Sequence, residues 1–472
     1  MPDRALAAEV IVVGAGVGGL VTALELARQG IGPLVLEAAP EPGGCVRSHT
    51  VGGLRLDRGA DSFATSRPSV ADLVATLGLP VQQPAGGAAW VRHATGAAPL
   101  PSGALLGIPA RPWAGDVRRI VGTTGALRAA LDRLLPARVG ASNGLGQLVR
   151  RRMGERVLHR LVEPVVGGVY SADPAGLDLD VVAPGLRAAL AGAGSLSGAV
   201  ARIRGAAPPA GSAVAGLTGG MGTLTAALVD ALRAAGGELR CGVAVRSVAR
   251  ADGGWAVTAE CGDGPDRIGV FAAPRLVLAT PATVTARLLD AATGGTASLP
   301  VAPASAVVLA TVVLDEPALN GGPRGTGVLV APSVTQVSAK ALTHATAKWR
   351  YLADEAGPGT HVLRLSYGRG GAVPPDTAFP ALALADASDL LGVRLDRRRL
   401  VDHALVHYPD QLAAPRSGRA AEVSRLRRDL ARWPGLSVTG AAVAGTGLAA
   451  VVADATATAA TLAAEHRVRM ET

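Results

Sequence analysis

The sequence predicts an α/β protein whose first domain, opened by a strand–helix–strand unit, is interrupted twice and resumed in the last segment. Three observations predict it. Near the N-terminus an apolar run, a glycine loop and a helically spaced run follow one another without a break. From Leu217 the alternation of helix and strand patterns resumes after a long stretch of different character. At the end, Leu436 to Ala464 reads strand, glycine loop, long helix, in the order of the beginning.

Glu9 to Val13 is one charge followed by apolar residues, as a strand buried on both faces reads. Gly14 to Gly19 is the loop, Leu20 to Arg28 has helical spacing, Gly30 stops it, and Leu34 to Leu36 is the second strand. Residues 80–209 are rich in Gly, Pro and Arg around amphipathic stretches such as Leu145 to Val162, and read as a mainly helical insertion. Thr223 to Ala235 is then a helix, and Glu238 to Arg240 and Val243 to Val248 are strands. A turn at Asp252-Gly253-Gly254 leads to a further strand, Trp255 to Ala259. The β-branched runs Ala306 to Leu314 and His361 to Ser366 predict a separate mixed sheet. The expected organisation is a nucleotide-binding domain from residues 1–79, 210–290 and 425–472, a helical insertion 80–209 on the substrate side, and a substrate-binding domain 291–424.

At 472 residues the chain can bury at least two cores. No window reaches the roughly 18 uninterrupted apolar residues that span a bilayer, and Met1 to Glu9 lacks the pattern of an export signal. Three widely separated cysteines, Cys45, Cys241 and Cys261, form neither a disulfide framework nor a zinc site. A cytoplasmic protein without a bound metal is expected. The net charge is +9, and Lys340 and Lys348 are the only lysines. That excess suits an acidic small molecule or an anionic surface. Nucleic acid is not expected as a partner, because the arginines are scattered and aromatic residues, 3% of the chain, are too few for a stacking platform.

Gly14-Ala15-Gly16-Val17-Gly18-Gly19 is a G-x-G-x-x-G loop directly after a strand and opening a helix, the setting of the Rossmann fingerprint. Gly14 permits the tight turn, Gly16 lets backbone approach a pyrophosphate, and Gly19 allows close helix–strand packing. Glu37, followed by Ala38, ends the second strand where a carboxylate accepts from a ribose hydroxyl. Pro42-Gly43-Gly44-Cys45-Val46-Arg47 adds a second glycine turn with a cation, which an extended flavin cofactor uses and a nicotinamide site does not need. Thr439-Gly440-Ala441 to Gly445-Thr446-Gly447 offers a second helix N-terminus, whose dipole stabilises negative charge on a reduced flavin ring. Together these features favour FAD.

The two N-terminal motifs resemble the flavin-containing amine oxidase superfamily, and further segments resemble its protoporphyrinogen/coproporphyrinogen oxidase family. Asp57-Arg58-Gly59-Ala60-Asp61-Ser62-Phe63 is similar to the family's "GPDSF" turn beneath the flavin. Leu161-Val162-Glu163-Pro164 to Gly167-Gly168-Val169-Tyr170-Ser171-Ala172-Asp173-Pro174 resembles "EP…GVYAGDP", and Leu217 to Leu224 resembles "GGLGxL". Ala347-Lys348-Trp349 and Leu363-Arg364 to Arg369 are similar to its substrate-domain motifs. The resemblance covers nearly the whole chain and is closest to the coproporphyrin-forming branch of Gram-positive bacteria. There are departures. Ala60 replaces a Pro, Tyr408 takes the place of a Trp, Arg419 that of a His, Val443 that of a Tyr and Ala449 that of a Pro.

The resemblance implies FAD contacts at Gly14, Ala15, Gly16, Val17, Gly18, Gly19, Glu37, Ala38, Gly44, Arg47, Gly59, Ala60, Asp61, Ser62, Val245, Tyr408, Gly440, Gly447, Leu448 and Ala449. It places Arg67 against the substrate, with Tyr170 and Lys348 as further contacts. Asp61 either steers a pyrrole N–H or caps its own turn at Ser62. Glu163 reads as a structural ion-pair partner, and the eight histidines have no ligand spacing. The implied reaction is oxidation of a porphyrinogen in haem biosynthesis, with O₂ as acceptor and hydrogen peroxide as product, six electrons in three cycles. Because coproporphyrinogen III has four propionates and protoporphyrinogen IX two, an Arg-rich, aromatic-poor chain points to the former. Protoporphyrinogen IX oxidase, an amine oxidase or desaturase, and a decayed flavin-binding scaffold are the rival readings. Other haem-pathway enzymes are the protein partners the resemblance leaves open, and peripheral membrane contact is left open by the apolar composition.

Overall fold

All four residues of Val10–Val13 are buried, and they sit at the centre of a five-stranded parallel sheet. The computed structural model describes residues 6–136, 144–170, 173–205, 214–262, 267–301, 305–369, 372–412 and 418–471. The sheet order is Glu238–Cys241, Pro33–Glu37, Val10–Val13, Arg275–Leu278, Leu436–Val438. Three distant parts of the chain therefore build one sheet, as the returning strand patterns predict. Side chains alternate across it. Val10, Val12, Val35 and Val277 join one core with the helices Val17–Ala27, Gly222–Ala234 and Leu448–Glu471. Ile11, Val13, Leu34, Leu36, Leu276 and Leu278 join a second core, under the antiparallel strands Val243–Ala251, Gly254–Cys261 and Ile268–Ala273.

Leu448–Val468 is long and apolar enough to cross a membrane by length and composition. Its register explains the composition otherwise: Val452, Ala455, Ala459, Leu462 and Ala463 pack into the first core. Thr22 Oγ1 also donates to the Ala455 carbonyl at 3.4 Å, tying the helix to Val17–Ala27. One face of this helix, made of small residues, therefore lies in that core.

A separate seven-stranded mixed sheet has the order Leu400–Leu412, Ser305–Asp315, Thr360–Tyr367, Ala341–His344, Gly327–Val330, Trp90–His93, Gly96–Pro99. Its last two strands come from within the segment read as helical. Trp90–His93 alternates half-buried and buried side chains, a four-residue strand signal too short to stand out among the surrounding Gly and Pro. Further along that segment the helices Gly115–Ala130, Leu145–Met153, Leu186–Ala193 and Leu196–Gly205 pack around one core. The amphipathic stretch Leu145 to Val162 is broken at Gly154, where φ is +89°.

Candidate functional site

The glycine loop shows which of its positions are packed and which are open. A Cβ on Gly14 would lie 2.7 Å from the Ala279 carbonyl oxygen, and one on Gly19 would lie 1.9 Å from that of Gly14. A Cβ on Gly18 would lie 2.8 Å from Gly440 Cα. At Gly16 a Cβ would meet nothing within 4 Å, and no side chain caps the helix that starts after it. So three glycines bring two backbones together, while Gly16 borders free space at a helix N-terminus with unspent N–H groups. That is a cradle of the kind a pyrophosphate fills.

The second glycine turn closes on the first. Gly43 N donates to the Ala15 carbonyl at 2.7 Å, and Gly16 and Gly43 form an isolated bridge. Arg47 is held by the carbonyls of Gly44 and Glu41, at 3.1 and 3.2 Å. Glu37 Oε2 accepts from Ala15 N at 2.7 Å and Oε1 from Ala39 N at 2.9 Å, so the carboxylate also braces the loop. Ala38 beside it is exposed. Val245 lies in the antiparallel layer at a register shift, where the backbone departs from regular pairing. On the other side Gly440 touches the first loop, and Gly447, open to solvent, immediately precedes the helix beginning at Leu448. Ser69 Oγ donates to the Ala449 carbonyl at 2.8 Å, which places the exposed Arg67, N-cap of helix Pro68–Thr76, near that helix start.

Between the two sheets lies the turn Asp57 to Ser62. A Cβ on Gly59 would lie 2.2 Å from the Cys45 carbonyl oxygen and 2.6 Å from the Tyr408 hydroxyl, so only glycine fits. Tyr408, on the strand Leu400–Leu412, donates to the Arg58 carbonyl at 3.2 Å. Burial pushes its hydroxyl up to about 12, so it stays protonated. Asp61 Oδ2 accepts from Lys348 Nζ at 2.9 Å and lies 3.3 Å from Arg364 Nη2, while Ser62 Oγ donates to its Oδ1 at 2.9 Å. Burial alone would raise the Asp61 pKa; the charges of Lys348 and Arg364, with the hydrogen bonds from Lys348 and Ser62, outweigh it and hold the carboxyl well below its usual range. Arg364 Nη1 also donates to the Gly59 carbonyl at 2.7 Å. Asp57 differs: burial, then the charge of Asp61, push it up to about 7, against Arg364 and the N–H groups of Gly222 and Met221.

The structure thus brings together Gly14 to Gly19, Glu37, Gly44, Arg47 and Gly440 in one cradle, and Gly59, Asp61, Ser62, Tyr408 and Lys348 in one charged node. Ala60 is half-buried within that node. Tyr170 ends the helix Glu163–Tyr170, and its side chain lies outside the described residues. Glu163 pairs with His159 at 2.7 Å, the structural role its sequence suggests. Arg419 holds the Pro300 carbonyl at 2.8 Å and also bonds the Ala442 carbonyl, bridging to the glycine segment after the last strand. The residue missing from the sequence assignment is Arg364. Its signal was a lone cation on the strand Thr360–Tyr367, at a half-buried position between buried Leu363 and Leu365. Among the described residues no group of three or more His, Cys, Asp or Glu could hold a metal.

A glycine cradle closed by a second glycine turn defines a dinucleotide-binding oxidoreductase of the flavin class. The model of the family described as flavin containing amine oxidoreductase matches residues 17–465, and the chain belongs to that family. It is an FAD-dependent oxidoreductase. It is 33% identical over 459 residues to a coproporphyrinogen III oxidase of Mycobacterium tuberculosis, covering 93% of this chain and 94% of the relative. It is 32% identical over 470 residues to a coproporphyrinogen III oxidase of Mycobacterium leprae, covering 94% and 96%. A solved structure from Exiguobacterium sp. 255-15 superposes with a TM-score of 0.83 at 25% identity, over 97% of this chain and 99% of that one.

Proposed function

We propose that the protein oxidises coproporphyrinogen III to coproporphyrin III, with O₂ as acceptor and hydrogen peroxide as product, in haem biosynthesis. The observation that carries this reading is the nearly full-length likeness to coproporphyrinogen III oxidases. In this reading Gly14 to Gly19, Glu37, Ala38, Gly44, Arg47, Val245, Gly440 and Gly447 to Ala449 hold FAD. The turn Gly59 to Ser62 and Tyr408 would hold its ring end. When bound, FAD supplies the hydride acceptor and the site of reaction with O₂.

The protein's own part is positioning and charge. Asp61, held ionised by two cations, is a hydrogen-bond acceptor for a pyrrole N–H rather than a base that keeps its proton. Lys348 and Arg364 outnumber it, leaving a net positive node beside the macrocycle. Arg67, exposed and without a side-chain hydrogen bond among the described residues, is free to meet a propionate. A cytoplasmic location, with transfer of the macrocycle between haem-pathway enzymes, belongs to the same reading. Loose contact with a membrane surface also belongs to it, supported by the exposed Trp113, Leu127, Leu131 and Leu134 on the helical segment.

The test is anaerobic mixing of the holoenzyme with coproporphyrinogen III. The flavin absorbance should bleach and return on admission of air; a flavin that stays oxidised would overturn the reading.

A further inference from the structure

Lys348 reaches Asp61 from the end of a helix only four residues long, Ala345–Lys348. One helical turn cannot hold its own geometry. On one side of it a cavity of about 390 Å³ opens, with Gly321, Gly322, Gly357 and Gly359 in its lining. What does meet the helix on that side is a chain of hydrogen bonds. Asn320 Oδ1 lies 3.0 Å from His361 Nε2, and His361 Nδ1 lies 3.1 Å from Nε2 of the fully buried His344, the residue preceding the helix. His361 Nδ1 also lies 3.4 Å from Thr346 Oγ1, which accepts from Val362 N at 3.3 Å. Burial, then His361, push His344 down to about 4, and burial also lowers His361, so both rings stay neutral and act through hydrogen bonds.

We infer that His344 and His361 are positioning residues, which hold the helix Ala345–Lys348 so that the Lys348 ammonium stays on Asp61. They act from the far side of the helix, at a cavity outside the cradle and the charged node. Without the imidazole wall the helix has room to sink into the cavity, and Lys348 leaves its partner.

The chain suits a direct test, because Lys340 and Lys348 are its only lysines. Amine acetylation read by peptide mass spectrometry reports on each separately, with the 7% exposed Lys340 as internal reference. In FAD-loaded His361→Ala, Lys348 should acetylate several-fold faster than in the natural protein while Lys340 is unchanged. Free imidazole, which the adjoining cavity can admit, should slow it again. Turnover of coproporphyrinogen III should fall by roughly tenfold to a hundredfold, the scale of a group displaced by about 1 Å. In a Lys348→Met background, His361→Ala should cost little more. The turnover arm rests on the proposed function and the acetylation arm does not, so their failures are distinguishable. Unchanged Lys348 acetylation in a folded His361→Ala protein overturns the inference. So does a full loss from His361→Ala on top of Lys348→Met. Should His361→Ala fail to fold, His361→Gln, which fills more of the space and removes the ring nitrogen that meets His344, decides by the same two readings.

Discussion

The ammonium of Lys348 lies 2.9 Å from the carboxylate of Asp61, joining residues 287 positions apart in the sequence. The side chains are only 14% and 16% exposed, so this pair counts for more than a surface ion pair. In Lys348→Met only Arg364 and Ser62 remain on the carboxylate, and the expected loss is about 3 kcal/mol or less, the low end for a broken buried pair. The sign with pH follows from the depressed pKa of Asp61. Its contribution is present above the ordinary carboxylate value of about 4 and is lost as pH falls through the lower folded value. Urea denaturation should therefore show the Lys348→Met deficit undiminished from pH 8 to 5 and shrinking in stronger acid.

Asp57 should behave in the opposite sense. Its pKa is raised to about 7 by burial and by Asp61, so the folded state keeps a proton that the unfolded state releases. That advantage is full below about pH 4 and is lost as pH rises through about 7. Asp57→Asn keeps an acceptor for Gly222 N and cannot ionise. Between pH 5 and 8 it should lose less stability than the natural protein in urea melts; parallel curves would count against this assignment.

The glycine loop separates folding from cofactor binding. Gly19→Ala forces a Cβ to 1.9 Å from the Gly14 oxygen and should fail to fold. Gly16→Ala meets no protein atom within 4 Å, so it should fold, with flavin content well below that of the natural protein after purification. Glu37→Ala should lose both, since two backbone N–H groups lose a charged acceptor at about 1.5–3 kcal/mol each. Visible flavin absorbance with a melting curve reads all three.

Arg67 isolates substrate binding. Exposed at the start of the helix Pro68–Thr76, it can become Ala at a cost within about 0.5 kcal/mol. Flavin content should be unchanged while KM for coproporphyrinogen III rises or kcat falls. Unimpaired steady-state kinetics would remove Arg67 from the site.

Much of this architecture was legible because it rests on local periodicity. The runs Val10–Val13 and Leu34 to Leu36 are apolar on both faces, and the G-x-G-x-x-G loop is forced by backbone contacts that a sequence pattern records directly. What stayed hidden depends on contacts between remote residues. Arg364 acquires its role only when Thr360–Tyr367 is laid beside the turn at Gly59, 305 positions away. The strands Trp90–His93 and Gly96–Pro99 are too short to announce themselves and owe their place to the edge offered by Gly327–Val330. Asp61 could be named from its turn, but not its ionisation, which Lys348, on the helix Ala345–Lys348, and Arg364, on the strand Thr360–Tyr367, set from a remote part of the chain.

The central claim is the substrate, and the most direct measurement is aerobic turnover of coproporphyrinogen III and protoporphyrinogen IX side by side, read by porphyrin fluorescence. A net positive node of Lys348 and Arg364, together with the exposed Arg67, predicts a higher kcat/KM for coproporphyrinogen III, the substrate with four carboxylates. A higher kcat/KM for protoporphyrinogen IX, or no conversion of either by FAD-loaded protein, would contradict the account.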